Sequence, residues 1–184
     1  VLYNKLGDFV NAKKKFEDVE KLLLNSEVPN YGTAQYFKKL SYFKNSLGKF
    51  YFGQGMIFDA ENCFNEVLEI DKELDINSNN HGWHLLNYGN ILRLQKKYDA
   101  SIDKYMLGLN IFLNNNNHYN TAKAKLYLAH LKSELGELEY ADSLYKSALH
   151  ILEDKFGNNN NVFFNAEYEY ANFLMKIDKI QEAY

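Results

Sequence analysis

A motif that returns about every 41 residues constrains this chain more than any other feature. A small residue is followed four places later by an aromatic, and three places after that by another small residue or valine. The copies are Ala12/Phe16/Val19, Ala60/Phe64/Val67, Ser101/Tyr105/Gly108 and Ala141/Tyr145/Ala148, and Ala183 opens a fifth; the steps between them are 48, 41, 40 and 42. Self-similarity at a fixed period marks a repeat array, in which each unit buries its apolar face only by stacking on its neighbour.

Between motif copies the apolar residues recur with helical period. The spacing predicts helices over Phe9–Asn25, Trp83–Leu94, Tyr98–Leu113, Tyr119–Leu135 and Leu138–Phe156. It also predicts one that carries Leu47, Tyr51 and Phe52 and ends at Gly53 and Gly55, and one that carries Ala60, Phe64, Val67, Leu68 and Leu74. The unit is therefore a helical hairpin. Val1–Leu6 reads as the end of a first helix, and the last unit begins at Val162 with its second helix barely started at Ile180. Turns inside units are short and marked by Gly7, Gly55 and Gly136, because glycine accepts left-handed backbone after a helix. Lys96 and Asp178 stand at the glycine place in two copies. Turns between units are Asn-rich (77–80, 114–117 and 158–161), and asparagine both caps helices and tolerates left-handed backbone. The array divides into a partial repeat 1–30, repeats 31–80, 81–117 and 118–161, and a partial repeat 162–184. A chain that starts at Val1 and stops a few residues into a unit is expected to be a piece of a longer array.

The recurrent small residues let paired helices approach, and the aromatic four places on fills the space between repeats. The motif residues are thus a packing set and are not expected to carry function. Composition narrows the rest. Hydrophobic content of 46% excludes a disordered chain, and a net charge of -3 makes no case for nucleic acid or a membrane surface. The single cysteine, Cys63, excludes an internal disulfide and a multi-cysteine metal site. No secretory leader pattern, long apolar run or Asn-x-Ser/Thr sequon occurs, which favours a cytoplasmic location.

These residues carry a resemblance to tetratricopeptide repeats. The second unit gives Leu47-Gly48-x2-Tyr51-x8-Ala60-x3-Phe64-x2-Val67, and the third gives Tyr88-Gly89-x2-Leu92-x8-Ser101-x3-Tyr105-x2-Gly108. The fourth gives Leu128-Ala129-x2-Lys132-x8-Ala141-x3-Tyr145-x2-Ala148, and the first and fifth keep parts of the same frame. Lys72, Leu113 and Glu153 occupy the place of the family's closing proline, so the second helices run on. This longer unit is similar to the repeats of kinesin light chains and of bacterial sensor proteins. The resemblance implies an all-α fold, a right-handed superhelical solenoid of antiparallel helix pairs. It also implies a non-catalytic module that takes a peptide or protein segment in a groove lined by the first helices. A scaffold role in a large assembly, or a ligand-sensing array attached to an effector domain, is the alternative.

Groove residues follow from helical phase, as first-helix positions that the packing motif leaves unused. They are Asn45 and Lys49; Asn87, Asn90 and Arg93; Lys123, Tyr127, His130 and Glu134; and Asn165, Tyr168, Glu169, Asn172 and Lys176. Asparagine suits such a wall, because its amide both donates to and accepts from a ligand backbone. No cofactor, metal or catalytic group is expected. His81 and His84 lack acidic partners in sequence and read as surface or capping residues, while His118, His130 and His150 are scattered. Trp83 is expected to cover the seam between the second and third units.

Overall fold

In the computed structural model of the chain, residues 9–25, 30–74 and 78–182 are described, those from 179 onward by backbone alone. The expectations for Val1–Leu6, Gly7, Asn77 and Ala183 fall outside these residues. Among them there are eight helices and no strand. They are α1 (Phe9–Leu23), α2 (Ala34–Gly53), α3 (Ile57–Glu73), α4 (Asn79–Leu94), α5 (Tyr98–Asn114), α6 (His118–Glu134), α7 (Leu138–Phe156) and α8 (Asn161–Glu182).

One turn design recurs four times. The backbone N–H donates five residues back, from Met56 to Tyr51, Lys97 to Leu92, Asn117 to Phe112 and Glu137 to Lys132, at 2.8–3.0 Å. The residue before each donor is left-handed: Gly55, Lys96, Asn116 and Gly136, with φ between 51° and 79°. This closure satisfies the last carbonyls of the preceding helix and reverses the chain at once. Lys96 holds the same conformation as the glycines despite its side chain, because the packed hairpin around it leaves no alternative. Asp178, at the corresponding place in the last unit, does not. There α8 runs unbroken to Glu182, so the second helix expected near Ile180 is replaced by a continuation of the first. Asp178 has no glycine's ease in left-handed backbone, and no described second helix folds back onto α8 to force the turn.

The contacts divide the chain into two compact units, residues 1–77 and 78–184. In the first, α2 and α3 form a hairpin with α1 beside α2. Its core joins Ala12, Phe43, Leu47, Phe50 and Cys63, with Phe9 stacked on Phe50 at 5.2 Å. Lys44 ties its helices together, 2.8 Å from Glu20 of α1 and 2.8 Å from Glu66 of α3. Burial works against its charge, but the two carboxylates outweigh that and hold the ammonium above the usual lysine range.

In the second unit, hairpins α4–α5 and α6–α7 stack in chain order and α8 packs on α7. The motif performs as its residue types demand. Ser101, Tyr105, Ala141, Tyr145 and Ala148 are fully buried. Small residues set the closeness of the helices: a Cβ at Gly89 would stand 2.5 Å from the Tyr105 ring, and one at Gly108 would stand 2.9 Å from the Gly82 carbonyl oxygen. Ser101 donates 2.7 Å to the Gly89 carbonyl, which fastens the same crossing.

Candidate binding wall on the first helices

The first helices of the second unit, α4, α6 and α8, share a side that the hairpin core does not consume. Here the expected groove residues meet. Arg93 of α4 pairs with Glu134 of α6. His130 of α6 lies 3.2 Å from Glu169 of α8 through Nε2. The phenol of Tyr105 donates to Asn90 Oδ1 at 2.6 Å, and its ring stacks on Tyr127 at 5.7 Å between centroids. One repeat further on, Tyr145 Oη meets His130 Nδ1 at 3.2 Å. Asn90 and His130 occupy equivalent places, each 15 residues before the motif tyrosine it touches.

The motif aromatics do more than pack. Their rings are core, but the hydroxyls of Tyr105 and Tyr145 reach the wall. The signal was available: the motif carries Phe at 16 and 64 and Tyr at 105 and 145, and a phenol in a buried place needs a partner. Burial raises both phenols, Tyr105 to about 12, and it raises Tyr127 as well, so all three stay neutral and can donate. The wall therefore offers uncharged hydrogen-bonding groups beside the Arg93–Glu134 ion pair and the His130–Glu169 contact.

Placement of the remaining residues is uneven. Asn87, Lys123 and Tyr127 are half-buried beside this run. On α8, Asn165, Asn172 and Lys176 are exposed and lie just outward of Glu169. Tyr168 lies three residues after Asn165 and four before Asn172, on the same face of the helix. Its counterparts Leu86 and Leu126 are buried packing residues, whereas Tyr168 is 70% exposed. Asn45 is half-buried and Lys49 exposed on α2, in the other unit, where Lys44 rather than either of them forms the polar junction. Trp83 stands edge-on to Phe112 within its own hairpin. His84 is buried, against the expectation of a surface residue.

Helix pairs stacked through a small/aromatic motif define an all-α repeat protein. Residues 39–114 match the tetratricopeptide repeat family. No curated protein sequence matches the chain. Solved structures do. Kinesin-light-chain-type, nearly identical TPR-like repeats from Podosopora anserina align over 98% of this chain and 84% of theirs, at 14% identity and TM-score 0.72. BtubC (BKLC) from P. vanneervenii aligns over 99% of this chain and 71% of its own, at 16% identity and TM-score 0.80. A Rap protein complexed with competence and sporulation factor aligns over 99% of this chain and 48% of its own, at 16% identity and TM-score 0.76. Identities this low carry the fold alone, which is that of the tetratricopeptide-like solenoids. No helix among the described residues is long and apolar enough to cross a membrane.

Proposed function

We propose that this chain is a non-catalytic binding module that captures an extended peptide or protein segment along the wall formed by α4, α6 and α8. The observation that carries the reading is the cross-repeat run Arg93–Glu134, Asn90–Tyr105–Tyr127 and His130–Glu169. Three successive first helices present polar groups in one line, already fixed by one another. A wall ordered before the ligand arrives loses little entropy on binding. Arg93 is paired with Glu134 and His130 meets Glu169, and the amides, phenols and ammonium groups beside them bring both donors and acceptors to the wall. That chemistry suits a peptide main chain, whose N–H and C=O groups need both donors and acceptors. The Rap protein solved with its factor lends support by likeness of fold, as do the kinesin-light-chain-type repeats.

The test uses random peptides displayed on phage and selected on the 184-residue chain. Selected peptides should lose most of their affinity for Lys123→Ala/Asn172→Ala, whose two positions lie on the wall and outside the core. Failure to select any peptide, or equal binding to parent and variant, would remove the reading.

A further inference from the structure

The outer side of α5 departs from the pattern of its sister helices. α5 packs on α4 and α6 and buries Ser101, Tyr105, Gly108, Leu109 and Phe112. Away from that core, Met106, Leu107 and Leu113 stand 38%, 50% and 50% exposed. Met106, Asn110 and Leu113 follow at i, i+4 and i+7, and Leu107 lies beside them, so the three apolar side chains share one face. Counted from the motif's small residue, the same three places hold Asn65, Glu66 and Lys72 in α3, and Lys146, Ser147 and Glu153 in α7. Polar residues are what a solvated helix face carries. The repeat frame therefore does not call for apolar residues at these places, and the hairpin core does not use them. The same face is acidic at one end. Asp103, one turn before Met106 and Leu107, is exposed and has no ion-pair partner among the described residues, and Asn62 and Ser143 stand at its place in α3 and α7. Its neighbour Lys104 is drawn over the Tyr88 ring instead, with Nζ 5.7 Å from the centroid. Asp99 adds a second exposed carboxylate in the first turn of the helix.

We propose that this face of α5 docks an amphipathic helix of a partner protein, whose apolar residues cover Met106, Leu107 and Leu113 and whose lysines or arginines meet Asp103 and Asp99. Single exposed apolar residues are ordinary, but three on one face beside unpaired carboxylates make a patch with both an apolar and a charged half. Burying the apolar half supplies affinity. The charged half supplies direction: basic residues at the partner's C-terminal end reach Asp99 and Asp103 only when the partner lies antiparallel to α5. The two carboxylates also repel an anionic surface such as phospholipid headgroups, which leaves a basic protein segment as the occupant. From Asp99 to Leu113 the stripe runs about 21 Å, four turns of helix, which is enough for i, i+3, i+4 and i+7 anchors on the partner. None of these residues contributes to the wall on the first helices, so the two surfaces are independent.

Fluorescence anisotropy of a labelled synthetic helix, titrated with the whole chain, tests this. The probe is a peptide of about 15 residues with leucines at i, i+3, i+4 and i+7, glutamines on the other side and lysines in its last turn. Its twin carries glutamates in place of the lysines. The parent should bind the lysine peptide and bind the twin more weakly. Met106→Lys/Leu107→Ser/Leu113→Glu installs the residues that α7 carries at the same places and keeps the net charge. It should weaken binding by roughly tenfold or more. Asp103→Ser, again the α7 residue, should cost the lysine peptide roughly two- to fivefold and should not weaken the twin. Circular dichroism should stay at the parent's helicity in both variants, because every substituted side chain is exposed. No binding of the lysine peptide, equal binding of the twins, or binding undiminished in the triple variant would overturn the site. So would a parent that sediments as a dimer and a triple variant that sediments as a monomer, because a second copy would then cover the face.

Discussion

Gly89→Ala sets two effects against each other and lets their sizes decide. Alanine is the better helix former, by about 0.8–1.0 kcal/mol in a helix interior. Against this, the new methyl would stand 2.5 and 2.6 Å from two ring carbons of Tyr105. That is about 1 Å inside ordinary carbon–carbon contact. The ring cannot swing away cheaply. It is fully buried, its hydroxyl is held by Asn90, and its face lies on Tyr127. Overpacking of this kind costs about 1–3 kcal/mol, and two overlapping ring atoms put the cost in the upper half. The net expectation is a loss of about 1–2 kcal/mol, or roughly 2–8 °C of melting temperature for a chain of this length. Gly53→Ala is the control. A Cβ there meets nothing within 4 Å, so only the propensity gain remains and the protein should be stabilised by about 0.5–1 kcal/mol. Urea unfolding followed by circular dichroism gives the magnitude. The fluorescence of Trp83, the only tryptophan and a residue of α4, reports the affected hairpin separately. A Gly89→Ala protein as stable as the parent would refute the argument that the Tyr105 ring fixes the helix spacing. A loss equal in Gly53→Ala would refute the propensity half.

Other consequences are read more directly. Burial pushes the Cys63 thiol up to about 11, with Lys44 opposing, so alkylation by iodoacetamide at pH 8 should be very slow in the folded chain and fast in urea. Burial works to raise the Asp142 carboxyl, but hydrogen bonds from Lys146 and from Tyr170, at 2.6 Å, win and depress it. A depressed folded pKa gives stability that is present at neutral pH and lost as pH falls through and below the carboxylate range. Tyr170→Phe should cost about 1 kcal/mol at pH 7 and less at pH 3, read from urea midpoints at both. Burial lowers the Lys125 ammonium, whose contact is Ser147 Oγ at 2.9 Å rather than a carboxylate. A lysine lowered in this way disfavours the fold while charged, so Lys125→Met should raise the urea midpoint at pH 7, and the gain should shrink as pH rises through the lowered pKa.

Sequence periodicity carried the architecture because it is set by packing, and packing repeats. The step of 41 fixed hairpin length, and Ser101, Tyr105, Ala141 and Tyr145 fell where the frame required. Most helix ends were legible too, since Gly55 and Gly136 mark a turn that only a left-handed residue can close. Lys96 closes the same turn with no such mark, and the continuation of α8 through Asp178 was not legible at all. A turn of this kind is imposed by the helix that folds back, and single residues record it only when they happen to be glycine. The wall was legible in phase but not in partnership. Helical spacing put Arg93, His130, Glu134 and Glu169 on one side, yet their pairing 39 and 41 residues apart depends on how two repeats stack. Tyr168 occupies a place that is buried leucine in the two preceding units, yet it is exposed.

The partnership changes what the repeat motif means. A phenylalanine at the aromatic place would fill the same volume as Tyr105 or Tyr145, so volume does not explain the hydroxyls. Each hydroxyl emerges beside the first-helix residue 15 places earlier, and there it holds Asn90 or touches His130. His130 in turn reaches Glu169 on the next helix, and Arg93 reaches Glu134. The chain of contacts therefore runs from core ring to wall side chain to neighbouring repeat. Displacing Asn90 would disturb the Tyr105 phenol, and displacing His130 would disturb both the Tyr145 phenol and the contact with Glu169 of the next repeat. An array packed by phenylalanine, as at Phe16 and Phe64, has no such link. It follows that Tyr105→Phe/Tyr145→Phe should leave the packed volume almost unchanged while uncoupling the wall from the core beneath it.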